Sequence, residues 1–123
     1  MTGQPRIKWL AKPGAHDYPA ALSYLALIFG EGIARSHVAR LRRARISEFK
    51  AKDIFRASAL SLLGVSNAHV EKDRRRIQAG KALSALLLVR YPARGALLIA
   101  DGYHRLCAVY SFDEDAVIPC KIA

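Results

Sequence analysis

The chain has 123 residues, of which 52% are apolar and 24% charged, and its formal net charge at pH 7 is +10. This length suits one domain with a buried core, and the apolar content excludes a disordered chain. No apolar run reaches the ~18 residues of a membrane span, and the N-terminal stretch lacks the apolar segment of a secretion signal. The charge favours anionic partners: nucleic acid, nucleotides, phosphorylated metabolites or an acidic protein.

The N-terminal 45 residues predict an arm followed by two helices. Residues 1–15 indicate an extended arm, which Trp9 and Leu10 would attach to the body. DYPAALSYLALIFG predicts a helix that Asp17 or Tyr18 caps and Gly30 ends. A second helix is predicted from 31 to 43, with an apolar face made of Ile33, Ala34, His37, Val38 and Leu41.

The middle of the chain changes from a strand period to a helix period. ISEFK alternates as a short strand does, and we expect it to lead into a turn around Asp53. RASALSLLGVS is compatible with a short helix or a loop. SNAHVEKDRRRIQAGK predicts a helix capped by Ser66 or Asn67, with Val70 and Ile77 facing inward. Its three arginines, 74 to 76, span most of a turn, and we expect them to be exposed.

The last third predicts strand, strand, helix, strand. LSALLLVR and ALLIA are apolar runs of strand length, and YPARG forms a turn between them. GYHRLCAVYSF has helical spacing, and AVIPCKIA predicts a final strand. Together these elements predict a small α+β domain with a mixed sheet of about four strands and surrounding helices. Cys107 and Cys120 fit two buried apolar residues in a reducing compartment, so we expect a cytoplasmic protein without a disulfide.

The octapeptide IADGYHRL, residues 99–106, marks a predicted strand-to-helix turn. Gly102 tolerates a positive φ, and unpaired N–H groups at a helix start form an anion site to which the helix dipole contributes. Arg105 adds a bidentate donor, and His104 a neutral donor or a general acid or base. Asp101 would hold a magnesium ion, orient His104 or accept a ribose hydroxyl. The alternative is an ordinary Asp-Gly turn, with Asp101 as a cap and Arg105 solvated.

The order strand, Asp-Gly-Tyr-His-Arg, helix, then Val-Ile-Pro-Cys-Lys-Ile resembles the N-terminal domain of the ParB/sulfiredoxin superfamily. Members carry a glycine, two variable polar residues and an arginine at this turn, and then a strand that opens with Val-Pro or Ile-Pro. The upstream HVEKDRRRIQAGKALSALLLVR is similar to the helix, glycine and strand of the family. The resemblance covers residues 46–123 and implies that 1–45 are an N-terminal arm and helical extension of one compact unit.

The departures from the family narrow what the resemblance implies. Sulfiredoxins have a catalytic cysteine where this chain has Tyr103, so sulfinic-acid reduction is not expected. ParB has Glu-Arg-Arg after the glycine, binds CTP there, and continues into a DNA-binding helical domain, whereas this sequence ends at Ala123. Free-serine kinases of the superfamily carry Asp-Gly-His-x-Arg, matched by Asp101, Gly102 and Arg105. All three imply a phosphate-binding turn, here the backbone of Gly102, Tyr103 and His104 with Arg105.

Four further residues are candidates because the resemblance places the segment after the first strand near the nucleotide. Lys52 and Arg56 would reach phosphates, and Asp53 would act as a base or metal ligand; the alternative is a charged surface turn. His69, near its helix start, would face the same cleft or simply be exposed. The catalytic candidates are therefore Asp101, His104 and Asp53, with Mg²⁺ as the possible cofactor.

These features predict a protein that binds a nucleotide or phosphorylated small molecule at the turn from Asp101 to Arg105. If the protein is an enzyme, we expect a nucleotide hydrolase or a small-molecule kinase. The alternative is a non-catalytic, basic, nucleic-acid-associated module that contacts phosphate backbones through Arg40 to Arg45 and Arg74 to Arg76. A third possibility is a protein-interaction fold whose ligand site has decayed.

Overall fold

A computed structural model describes residues 5–64 and 66–123, which contain both helices and strands. The helices and strands are α1 Asp17–Phe29, α2 Glu31–Arg43, β1 Ser47–Lys50, α3 Ala51–Ser58, α4 Ala68–Gln78, β2 Leu86–Tyr91, β3 Ala96–Asp101, α5 Tyr103–Phe112 and β4 Val117–Ile122. A 3₁₀ turn, Pro92–Arg94, joins β2 to β3. The α+β class predicted from the sequence is confirmed.

The four strands form one mixed sheet in the order β1-β4-β2-β3. The β2–β3 hairpin and the β1–β4 pair are antiparallel, whereas β2 and β4 are parallel. Helix α5 carries the chain from β3 to β4 and so allows β4 to lie beside β2. Pro119 lies opposite Glu48, and the parallel register with β2 begins one residue later, at Cys120.

Both faces of the sheet are covered, which explains the continuous apolar run of β2. Leu86 and Leu88 point to the face covered by α3, α4 and α5, while Leu87 and Val89 point to the face covered by α1 and α2. The alternation of side chains along a strand therefore gives two cores, one on each side of the sheet. The extension predicted for residues 1–45 supplies one of these layers.

The structure corrects the predicted turn around Asp53. The chain forms helix α3 there, because Ala51, Ile54 and Ser58 fall on one face at helical spacing and are buried. Two details of the first helices are also corrected. The cap position of α1 is His16, rather than Asp17 or Tyr18. Ile33 is 56% exposed, so the buried face of α2 is Ala34, Val38 and Leu41.

The arm and the two cysteines have clear positions. Trp9 bridges to Leu83 and packs on the core, whereas Leu10 is exposed and contributes only its backbone amide, which donates to the Leu83 carbonyl. Cys107 and Cys120 are buried free thiols. Across the part of the chain that the structure describes, none of the helices has the length and apolar character needed to span a bilayer.

Candidate functional site

Gly102 forms the turn between β3 and α5, as the sequence predicts. Its φ is +105°, a conformation that L side chains rarely adopt. A Cβ placed there would lie 2.9 Å from both the Arg105 guanidinium and the Leu86 side chain. A side chain at this position would therefore be strained by the backbone and would collide with its neighbours.

The first turn of α5 presents backbone donors at this point. The Leu106 amide donates to the Gly102 carbonyl at 2.9 Å and closes the first turn. The amides of Tyr103, His104 and Arg105 precede that first intrahelical bond, and the positive end of the helix dipole lies with them. This end of the helix favours an anion.

A polar cleft of about 160 Å³ lies between α4 and the first turn of α5. From α4 it is lined by His69, Lys72, Asp73 and Arg76, and from the turn by Asp101, Gly102, Tyr103, His104 and Arg105. The structure thus brings together all five predicted residues of the turn and the predicted His69. It also adds two cations and an acid from α4.

Arg105 is held inward rather than extended into solvent. Its Nη2 donates to Asp101 Oδ2 at 3.1 Å and to the Ala85 carbonyl at 3.4 Å. The Arg105 and Asp101 side chains are only 17% and 18% exposed. In residues 5–64 and 66–123, no group pairs with the buried Nε of Arg105. Through its hydrogen bonds to Asp101 and Ala85, the guanidinium fixes the turn, and it contributes positive charge to the cleft wall.

Asp17, which the sequence predicts as a possible helix cap, instead lies close enough to Asp101 to affect its carboxyl group. It is 3% exposed, and its Oδ2 accepts a hydrogen bond from the Gly14 amide at 2.8 Å. Burial raises the pKa of the Asp101 carboxyl above its ordinary value of 3.8, the Arg105 guanidinium opposes this, and the charge and hydrogen bond of Asp17 raise it again. Helix α1 therefore contributes a second carboxyl group to the Asp101–Arg105 pair.

Asp101 does not fit the part of a magnesium ligand in this arrangement. A Mg²⁺ ligand needs an accessible carboxylate oxygen, whereas the Asp101 side chain is only 18% exposed and is paired with Arg105. Its Oδ2 also accepts a hydrogen bond from the Arg105 guanidinium. Within the described ranges, no three His, Cys, Asp or Glu side chains cluster in a way that would hold a metal. The residues at the turn therefore do not form a Mg²⁺ site by themselves.

His104 and His69 lie against each other on the cleft wall, with ring centroids 4.8 Å apart. Burial lowers the pKa of His104 from its ordinary 6.5, and the neighbouring His69 lowers it further, while Asp73 acts in the opposite direction. His104 is therefore neutral at pH 7. A neutral imidazole can donate a hydrogen bond or accept a proton, which suits the predicted role of general base.

An apolar cleft of about 410 Å³ shares the Asp101–His104 turn with the polar cleft. Its other walls are Tyr24 of α1, Leu60, and Ile99 and Ala100 of β3. The Tyr103 hydroxyl donates to the Ser61 carbonyl, which holds the segment after α3 beside this cleft. A polar and an apolar cleft thus meet at the same four residues.

Three residues predicted from the resemblance lie elsewhere. Lys52 forms an ion pair with Asp115 at 2.6 Å, and Asp53 with Arg56 at 3.6 Å on α3. None of the three lines the polar cleft. Asp53 instead borders a separate apolar hollow over β2 and β3. The structure therefore does not bring the α3 charges to the turn.

The two arginine clusters lie on opposite sides of the sheet. Arg40, Arg42 and Arg43 are at the end of α2, which covers the face formed by Leu87 and Val89. The second cluster is on α4, which covers the other face. They cannot form one continuous surface.

Of the three α4 arginines, Arg75 and Arg76 are exposed as predicted, and the prediction is corrected only for Arg74. Arg74 is 20% exposed, lies 4.1 Å above the Phe112 ring and donates to the Ser111 hydroxyl. Arg75 forms an ion pair with Glu71 at 3.3 Å. Arg76 lines the polar cleft.

The sequence analysis missed Lys72, Asp73 and Arg76 as cleft residues. Their signal was their spacing from His69: positions three, four and seven residues along a helix lie on the same face. Asp17 had no comparable local signal, because its partner Asp101 is 84 residues away.

No protein-family model, curated protein or solved structure matches this chain. The resemblance to the ParB/sulfiredoxin superfamily therefore stays a prediction from the residues quoted above.

Proposed function

We propose that this protein binds a phosphorylated small molecule, a nucleotide in the first instance, at the turn between β3 and α5. One observation carries the proposal: the polar and the apolar cleft share the residues from Asp101 to His104. A ligand that occupies both must be anionic at one end and largely apolar at the other. A nucleotide has this character.

The phosphate would lie in the polar cleft. Lys72 and Arg76 face it from α4, and the first amides of α5 face it from the turn. Backbone donors at a helix start, supported by a guanidinium and an ammonium group, are the usual partners of phosphate. Arg105 lies behind the turn and adds to the local positive charge.

The volumes of the two clefts indicate which part of the ligand each one would hold. Small-molecule sites usually measure about 300 to 1,000 Å³. The polar cleft, at about 160 Å³, is below this range and suits a phosphate group alone. The apolar cleft, at about 410 Å³, has room for a base, with the Tyr24 ring in its wall.

A nucleotide hydrolase or small-molecule kinase is the enzymatic form of this proposal. The residue placed for proton transfer is His104, which is neutral at pH 7 and borders both clefts. Asp53 lies outside the polar cleft and has no part in this scheme. Binding comes first, because a phosphoryl-transfer assay is meaningful only once a ligand is known.

Thermal unfolding with ATP, ADP, CTP, GTP and inorganic phosphate tests the proposal, each with and without Mg²⁺. A ligand at 100 times its Kd stabilises the folded state by about 2.7 kcal/mol, which a melting curve resolves. We expect at least one nucleotide to raise Tm in the wild type and in Arg94→Gln, and to have much less effect in Arg76→Gln. Both variants lose one positive charge, but Arg94 lies at the opposite end of β3.

Arg105→Ala is a poor first variant because it leaves Asp101 and Asp17 without their counter-charge. Absence of any Tm shift with all five ligands would refute nucleotide binding. An equal loss of the shift in Arg76→Gln and Arg94→Gln would refute the site. A shift that requires Mg²⁺ would show that the metal enters with the ligand.

A further inference from the structure

In addition to the cavities described above, a groove of about 510 Å³ runs along the exposed side of α4. It is lined by Ala68, Glu71, Lys72, Arg75, Arg76, Ala79 and Lys81. Lys72 and Arg76 belong to the proposed mononucleotide site as well, whereas the other residues of the groove lie outside that site. Its lining contains four cationic residues and one acid, so it is strongly basic.

The groove is continuous with the polar cleft. Lys72 and Arg76 line both, one side chain to each turn of α4. Residues four apart on a helix are about 6 Å apart along its axis, which is comparable with the distance between neighbouring phosphates of an extended single strand. An anion in the cleft and a second one in the groove would thus face successive cations.

Most of the positive charge in the groove is uncompensated. Glu71 pairs with Arg75 at 3.3 Å and with Arg74 at 3.7 Å, so its charge is already used. Lys72, Arg76 and Lys81 form no ion pair with any residue that the structure describes. Lys8 of the arm also reaches this end of α4, since its Nζ lies 3.8 Å from the Cβ position of Gly80.

We propose that the ligand is the phosphorylated end of a single-stranded nucleic acid, whose following phosphates lie in the α4 groove. This rests on the proposed function, because the terminal phosphate and base occupy the two clefts at the turn. Lys72 and Arg76, which line both the cleft and the groove, and Lys81, which lines only the groove, then neutralise the terminal phosphate and the backbone that follows it. A mononucleotide would leave Lys81 without a partner.

Two other anionic partners fit these observations less well. An anionic membrane would require a broad surface with large apolar side chains beside the cations, whereas the apolar side chains that line this groove are those of Ala68 and Ala79. An acidic peptide would use the cations but not the apolar cleft with Tyr24 in its wall. A nucleotide chain supplies both a base and regularly spaced phosphates.

Fluorescence anisotropy with 3′-labelled tetranucleotides, as DNA and as RNA, tests the inference. We expect the 5′-phosphorylated tetranucleotide to bind at least tenfold more tightly than the corresponding mononucleotide, measured by competition. Lys81→Gln should weaken the tetranucleotide about threefold to tenfold and leave the mononucleotide unchanged, because Lys81 lines the groove but not the cleft. Arg94→Gln is the charge-matched control and should change neither.

Salt provides a second readout. Three phosphate contacts on a single strand predict a slope of log K against log salt of roughly −2, at about 0.7 per contact. The slope should become shallower by about 0.7 in Lys81→Gln and stay the same in Arg94→Gln.

The outcomes separate this inference from the proposed function. A tetranucleotide that binds no more tightly than the mononucleotide overturns the inference and leaves the proposed function standing. No binding of either overturns both. Equal binding of 5′-phosphate and 5′-hydroxyl tetranucleotides overturns the placement of the terminal phosphate, and a tetraglutamate peptide or anionic vesicles binding as tightly would overturn the nucleic-acid assignment.

Discussion

Gly102 is the residue on which the geometry of the site depends most directly. Its φ of +105° and the 2.9 Å approach of Arg105 and Leu86 to its Cβ position both exclude a side chain. Gly95 also has a positive φ, +64°, but no atom lies within 4 Å of its Cβ position. Substitution at the two glycines therefore distinguishes the energetic cost of a strained backbone from the cost of a collision with neighbouring side chains.

We expect Gly102→Ala to destabilise the protein by about 3 kcal/mol or more, since strain and collision add. Gly95→Ala should cost about 1 kcal/mol, from the left-handed backbone alone. Urea unfolding at pH 7 measures both. Equal costs for the two variants would mean that the turn adjusts and that Gly102 is not required by packing.

The Asp17–Asp101 pair makes stability depend on pH. Because the pKa of folded Asp101 is raised above 3.8, the folded state binds more protons than the unfolded chain just above that pH. Stability is therefore lost as pH rises from about 4 through the folded pKa of Asp101, and the cost persists at neutral pH.

Asp17→Asn should reduce that loss. The amide oxygen can still accept from the Gly14 amide, while its NH₂ can donate to Asp101 and the acidic neighbour is gone. We expect a gain of about 1 kcal/mol at pH 7 and little change at pH 4, measured by urea unfolding. Asp53→Asn, at an exposed ion pair, is the control. A less stable Asp17→Asn at pH 7 would contradict the inference that the Asp17 carboxyl raises the pKa of Asp101.

At the scale of elements, the packing of α4 on α5 sets the width of the polar cleft. Arg74 connects the two helices: its guanidinium lies 4.1 Å above the Phe112 ring and donates to the Ser111 hydroxyl. The adjacent Arg75 is 77% exposed and pairs with Glu71 on its own helix. Neighbouring residues of the same type thus have different environments.

We expect Arg74→Ala to cost about 1 to 2 kcal/mol, because a partly buried cation–π contact and a hydrogen bond are lost together. Arg75→Ala should change stability by less than about 0.5 kcal/mol, as exposed ion pairs contribute little. Chemical denaturation of both variants measures the difference. A comparable effect of the two substitutions would show that Arg74 does not hold the helices together.

At the scale of the whole molecule, the sheet is buried on both faces, and α1 with α2 forms one of the two outer layers. Leu25 of α1 is fully buried in the layer over Leu87 and Leu98, whereas Leu27 is 88% exposed. The N-terminal helices therefore belong to the same hydrophobic structure as the sheet.

Leu25→Ala should destabilise the whole domain by about 2 to 5 kcal/mol, while Leu27→Ala should change stability by less than about 0.5 kcal/mol. Near-ultraviolet and far-ultraviolet circular dichroism should report the same single transition for Leu25→Ala. Two separate transitions would show that residues 1–45 unfold independently of the sheet.

Local features of the sequence determined most of the elements. Apolar periodicity and the residues at helix ends predicted α1, α2, α4, α5 and the four strands near their observed limits, and Asn67 caps α4 as expected. The Asp-Gly-Tyr-His-Arg turn was also predicted, since a glycine between an apolar strand and a helix is a local signal. These features depend on neighbours within a few residues, so the sequence alone contains them.

Only the tertiary structure decided which residues meet. It placed Asp17 of α1 beside Asp101, turned Arg74 onto Phe112, and kept the charges of α3 away from the turn. It also brought a polar and an apolar cleft together at the turn between β3 and α5. Such contacts join residues far apart in the chain, and they follow from how helices pack on the two faces of a sheet rather than from any local pattern.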